Sequence, residues 1–173
     1  MISGEIVLFL DEMKIKLCPK MFREWSIPGQ RHHVEATVEN QGYKNLFGAV
    51  NIATGELIKV VFDRSRSQEF ISFLKEILKK YPNRTIHIVM DNYSIHNSKE
   101  TRQYLATQPG IKCVFQPTYS FYLNCIELLW LYVRKAICYN NYFAKLEWLT
   151  EEIINFLDSL TPQRILQAVG VKK

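Results

Sequence analysis

The chain lacks most of what would take it out of the ordinary globular class. Its 173 residues include only seven glycines and six prolines. No Pro/Gly/Ser-rich stretch divides them, which excludes a flexible linker or a low-complexity tract. No internal repeat is visible, which excludes a solenoid. No apolar run approaches the roughly 18–20 residues that cross a bilayer. Asp11 and Glu12 interrupt the first apolar run too early for a secretory signal. Cys18, Cys113, Cys125 and Cys138 form no C-x-x-C pair and have no zinc-type spacing with His32, His33, His87 and His96. They read as reduced thiols, and the expected compartment is the cytoplasm. Charge of one sign is also in modest supply. The net +5 and pI near 9.0 suit a polyanionic partner without demanding one.

What is present is the composition of a folded protein, 47% hydrophobic and 23% charged. The length fits one compact domain over residues 1–173. Ile6–Leu10 is an apolar run of strand length. Val34–Val38 and Tyr43–Ile52 are further strand candidates around an Asn40-Gln41-Gly42 turn, and Ala53-Thr54-Gly55-Glu56 turns into Leu57–Phe62. Together these predict an antiparallel meander. Phe70, Phe73, Leu74, Ile77, Leu78 and Tyr81 recur at helical spacing, with Ser67 as N-cap and Pro82 just past the end. A strand ending at Asp91 follows. Then come a capping box at Asn97–Glu100 with a short helix to about Leu105, and a strand over Ile111–Phe115. A helix spans roughly Asn124 to Tyr139. Thr150 and Thr161-Pro162 start two more, and Gly170 stops the last. The order predicts an α/β fold, a mixed central sheet with helices on both faces.

The chemistry lies in three carboxylates. Asp11 closes the run Glu5–Leu10, and Asp91 closes Thr85–Met90. Thirty-five residues separate Asp91 from Glu127, which sits in an apolar helix. Carboxylates at two strand ends and on one helix can hold a pair of divalent cations for phosphodiester chemistry, because such ions need oxygen ligands fixed by rigid neighbouring elements. Each residue also has a plain structural reading. Asp91 could be a turn residue, Asp11 a solvated loop entry, and Glu127 a partner of Arg134 or Lys135.

The words around these carboxylates resemble the DDE transposases of the insertion-sequence 630/Tc1/mariner superfamily. Asp11-Glu12 is followed by Pro19, Trp25 and Gly29-Gln30. Asp91-Asn92 is followed by His96. The third word, Tyr119-Ser120-Phe121-Tyr122-Leu123-Asn124-Cys125-Ile126-Glu127, leads on to Trp130 and Arg134. The resemblance runs from about Val7 to Lys135. It implies an RNase H-like fold and a metal-dependent transposase catalytic core that cleaves DNA and joins 3′ ends to target DNA. Asp11, Asp91 and Glu127 would be catalytic residues and ligands of two Mg2+ ions, with Mn2+ as substitute. Asn92, His96 and Asn124 would support them, with Asn92 and His96 orienting a phosphate or water. Transposon-end and target DNA are the implied partners, in a homodimer at the nucleoid, with helix-turn-helix DNA-binding parts absent from this chain and possible as a separate product. Phe121 and Cys125 stand where the family usually has proline, which would stiffen the loop before the glutamate. A stand-alone nuclease and a degenerate non-catalytic DNA-binding or dimerising remnant are the competing readings.

Around this core, Arg31, His32 and Trp25 belong to a basic stretch interleaved with aromatics, and Arg134 and Lys135 follow the glutamate. These five are the DNA-contact candidates, suited to backbone phosphates and base stacking. A solvated charged face is the alternative.

Overall fold

The structure, a computed structural model, describes residues 4–17, 42–117, 123–139 and 141–171. Five strands form one mixed sheet: β1 (Glu5–Ile15), β2 (Lys44–Asn51), β3 (Leu57–Phe62), β4 (Thr85–Met90) and β5 (Ile111–Phe115), in the order β3-β2-β1-β4-β5. The β1-β2 and β2-β3 pairs are antiparallel, and β1-β4 and β4-β5 are parallel. The helices are α1 (Ser67–Lys80), α2 (Lys99–Ala106), α3 (Ile126–Val133), α4 (Leu146–Ser159) and α5 (Pro162–Ala168). A π turn, Arg134–Cys138, continues α3. This is the expected mixed sheet with helices on both faces. Val34–Val38 and the Asn40-Gln41 part of the turn lie outside the described residues.

Strand alternation sorts the two cores. Leu8, Leu10, Ile86, Ile88 and Met90 pack with Phe70, Phe73, Leu74 and Ile77 of α1. Met13 and Ile15 of β1 and Leu46 and Val50 of β2 pack with α3, α4 and α5 on the opposite face. Asp11 shares the parity of Met13, so it belongs to the α3 face. Glu12 shares the parity of Leu10 and belongs to the α1 face.

Several boundaries depart from the sequence reading, each for a local reason. Asp11 does not end its strand. β1 runs on to Ile15 because β2 pairs alongside residues 8–15. What ends near Asp11 is the pairing with β4, whose last register pair is Phe9 with Val89. Ser67 is the first residue of α1, and the N-cap position falls on Arg66, with no side-chain cap bond. Ser98, not Asn97, caps α2, and its hydroxyl accepts from the Thr101 amide. α4 begins at Leu146, so Thr150 lies inside it, its hydroxyl donating to the Leu146 carbonyl. Thr161 caps α5 with Pro162 in its first turn, as expected. The glutamate helix, with its π continuation to Cys138, covers nearly the expected span but is not buried all round. Ile126, Leu129, Trp130 and Val133 are buried, whereas Leu123, Leu128 and Leu131 are exposed. Only one side of this helix lies against the sheet.

Candidate active site

Parallel register brings the two aspartates together. Phe9 pairs with Val89, and two residues further along each strand direction come Asp11 and Asp91. Asp91 stands just past the end of β4, where β1 and β4 have stopped pairing. The third carboxylate arrives on α3, whose first turn carries Glu127. Burial raises the Asp11 carboxyl most, and the charges of Glu127, Glu12 and Asp91 add to it against an opposing hydrogen bond from the Glu12 backbone. The net effect pushes Asp11 up to about 8. The structure therefore brings Asp11, Asp91 and Glu127 into one electrostatic cluster.

Three consecutive residues of β1 anchor the surrounding elements. The buried Asn124 side chain donates to the Leu10 carbonyl at 2.8 Å, fixing the start of the glutamate helix against β1. Trp130, one turn of α3 further on than Glu127, donates its indole N–H to Asp11 Oδ2 at 3.0 Å. Glu12 Oε1 meets His96 Nε2 at 2.9 Å, and the other ring nitrogen of His96 lies 3.1 Å from Asp91 Oδ1. The same Asp91 oxygen accepts the Tyr93 amide at 2.9 Å. Each aspartate thus has one oxygen held by the scaffold in these bonds. Burial alone would lower the His96 pKa, but its bonds to Asp91 and Glu12 outweigh that and raise it to about 9. The His96 bond in turn holds the Asp91 carboxyl below its ordinary value.

The remaining predicted residues fall as follows. Asn92 is exposed, and its amide donates to the Gln116 carbonyl at 2.7 Å, tying together the segments that leave β4 and β5. His96 is 1% exposed, and both its ring nitrogens are engaged. It has no free nitrogen for a phosphate or water. No described ion pair joins Glu127 to Arg134 or Lys135. Arg134 is half-buried and lines a cavity of about 360 Å³ with Met13, Ile15 and Leu149, while Lys135 is exposed. Arg31, His32 and Trp25 lie outside the described residues, as does Phe121. Cys125 has φ −62°, close to the angle at which proline is locked. The backbone entering the glutamate helix thus holds a proline-like φ without proline.

Glu12, Trp130 and Gly48 were not among the predicted site residues. Gly48 is the β2 partner of Asp11 in the antiparallel register. A β-carbon there would fall within 2.5 Å of Trp130 Cζ2 and 3.2 Å of Ile126 Cδ1. The bare α-carbon leaves the space occupied by the indole that bonds Asp11. A glycine inside the apolar run Leu46-Phe47-Gly48-Ala49-Val50 was the available signal, because such glycines mark close approaches.

Residues 6–150 match the model of a family described as DDE superfamily endonuclease. The chain belongs to that family. All three carboxylates fall inside the matched span. An insertion element IS630 protein of 39 kDa from Shigella sonnei, described as uncharacterized, is 32% identical over 157 residues, 90% of this chain and 46% of that protein. The DDE chain therefore spans about half the length of the curated relative it matches. Solved structures of the Mos1 mariner transposase share its fold. A paired-end complex with Mg superposes with a TM-score of 0.73 at 16% identity, covering 95% of this chain and 51% of that one. The Mos1 catalytic domain with Raltegravir and Mn superposes at 0.67 and 12%, covering 94% and 75%. The DDE domain thus shares its RNase H-like fold with the Mos1 catalytic domain, and in sequence it is similar to the insertion element IS630 protein. Among its described residues no helix is long and apolar enough to cross a membrane.

Proposed function

We propose that this DDE domain is the catalytic core of a metal-dependent DNA transposase that cleaves phosphodiesters and joins DNA 3′ ends to target DNA. The observation that carries the reading is the convergence of Asp11, Asp91 and Glu127. No cationic side chain among the described residues pairs with Asp11 or Glu127. A charge cluster left so uncompensated is costly without a cation. The donor set fits a hard divalent ion, being entirely carboxylate oxygen. Among the described residues no ready-made cluster of three ligands is closed around a cation position.

Asp11, Asp91 and Glu127 would hold two Mg2+ ions, or Mn2+ in their place. When bound, such ions supply an activated water or DNA 3′-hydroxyl and stabilise the leaving 3′-oxygen. The chain's own contribution is placement. Trp130 fixes Asp11, His96 and the Tyr93 amide fix Asp91, and Asn124 fixes the helix that carries Glu127. Arg134 and Lys135 contact DNA phosphates flanking the site, and Arg31, His32 and Trp25 are DNA-contact candidates by residue type. The Mos1 relatives were solved as paired-end complexes and with Mg or Mn, which supports DNA and a divalent ion here, and a homodimer to hold two DNA ends.

Mn2+-dependent nicking of supercoiled plasmid tests the reading. The chain should nick, and Asp91→Asn and Glu127→Gln should reduce nicking to background. Equal nicking by either variant would remove the carboxylate assignment. Joining of precleaved ends to a target plasmid separates a transposase core from a nuclease.

A further inference from the structure

Glu12 follows Asp11 in sequence but belongs to the opposite face of the sheet. Its side chain is 12% exposed, and His96, its partner, is 1% exposed. A carboxylate removed from water to that degree needs a partner, and among the described residues the imidazole fills that role. The imidazole is itself fixed. Its ring packs on Phe70 of α1 with centroids 4.5 Å apart, and its far nitrogen lies 3.1 Å from both Asp91 Oδ1 and the Asp91 carbonyl. A continuous path of contacts therefore runs from β1 through Glu12 and His96 to Asp91.

The path crosses the sheet at the one place where backbone no longer does so. The β1-β4 register ends at Phe9 and Val89, and Asp91 hangs on the segment beyond. A buried ion pair is a poor way to gain stability, because desolvation offsets most of its attraction, and apolar side chains could fill the same space. Its distinctive property is direction, since it fixes one carboxylate oxygen at a set distance from a strand. Glu12 cannot join the Asp11–Glu127 cluster as a further ligand without leaving His96 and crossing to the other face.

We propose that Glu12 is a positioning residue which, through His96, fixes the Asp91 carboxylate relative to Asp11 across the gap between β1 and β4. The proposal rests on the reading above, in which Asp91 is a metal ligand. Glu12 holds the near end of the imidazole, the imidazole holds Asp91 Oδ1, and Oδ2 is left for the ion.

The test is Mn2+ affinity, read by electron paramagnetic resonance on folded protein, with circular dichroism to establish folding. Glu12→Ala should weaken Mn2+ binding by about tenfold or more, the usual size of an effect on a ligand's supporting partner. Glu12→Gln retains an acceptor for the imidazole N–H and should recover most of the affinity. In an Asp91→Asn background, Glu12→Ala should have little further effect, because the two act through one ligand. A Glu12→Ala protein that melts lower but binds Mn2+ within about twofold of the parent would overturn the proposal, as would full additivity with Asp91→Asn. Unchanged affinity in Asp91→Asn alone would instead overturn the metal reading on which the proposal stands.

Discussion

Gly48→Ala adds a single methyl group and should disturb Asp11 without touching it. Gly48 carries no positive φ, so the added β-carbon imposes no backbone strain. In open space the change would stabilise by about 0.4–1 kcal/mol through the unfolded chain. Here the new atom falls within 2.5 Å of the fully buried Trp130 ring. Restoring an ordinary contact near 3.5 Å requires the indole to retreat by about 1 Å. Overpacking of this kind costs about 1–3 kcal/mol. The net expectation is a loss of about 1–2 kcal/mol, or roughly 2–8 °C in Tm for a chain of this size. The same retreat would take the 3.0 Å Trp130–Asp11 bond past the roughly 3.5 Å at which it ceases to count as one. Thermal melting reads the first effect and Mn2+ affinity the second. Trp130→Phe supplies the control. The smaller ring makes room for the methyl, so Gly48→Ala should cost less in that background, and the double mutant should be more stable than additivity allows by about 1 kcal/mol. A Gly48→Ala protein with an unchanged or higher Tm, or an additive double mutant, would refute the argument that Gly48 exists to seat Trp130.

Asp11 makes a prediction about pH. Its folded pKa of about 8 lies above its ordinary value of 3.8, so the folded state holds the proton more tightly than the unfolded chain. Stability from this group is complete below about pH 4 and is lost as pH rises through about 8. Asp11→Asn should therefore flatten the fall in Tm between pH 5 and 8 and raise Tm at pH 8 by several degrees, provided no divalent ion is present; an unchanged slope would contradict the uncompensated cluster. Gly55, at φ +79°, lies against the Pro162 carbonyl at the start of α5. Gly55→Ala combines left-handed strain with a backbone clash, and denaturant unfolding should show a loss of about 2 kcal/mol or more.

The sequence by itself determined the type and facing of the described elements and singled out the three carboxylates. Strict alternation along Ile86, Ile88 and Met90 and helical spacing from Phe70 to Tyr81 settle type and facing, because burial acts directly on periodicity. Apolar runs on β1 and β4 and the apolar glutamate helix likewise marked out Asp11, Asp91 and Glu127 as carboxylates on rigid elements. Cap positions slipped at Ser67, Asn97 and Thr150 because backbone geometry sets the helix start: α1 and α4 begin after Arg66 and Lys145 with no side-chain cap bond, and in α2 the role falls to Ser98 next to Asn97. The resemblance named His96 and Asn124 beside the carboxylates, but only the tertiary structure decided that Glu12, Gly48 and Trp130 join them. Glu12 and His96 are 84 residues apart, as are Gly48 and Trp130 nearly so, and nothing local encodes their meeting. Asp11 looked like a strand end because its apolar run ends there. It lies mid-strand because β2 continues to pair beyond the point where β4 stops, and that difference in strand length opens the gap in which the carboxylates gather.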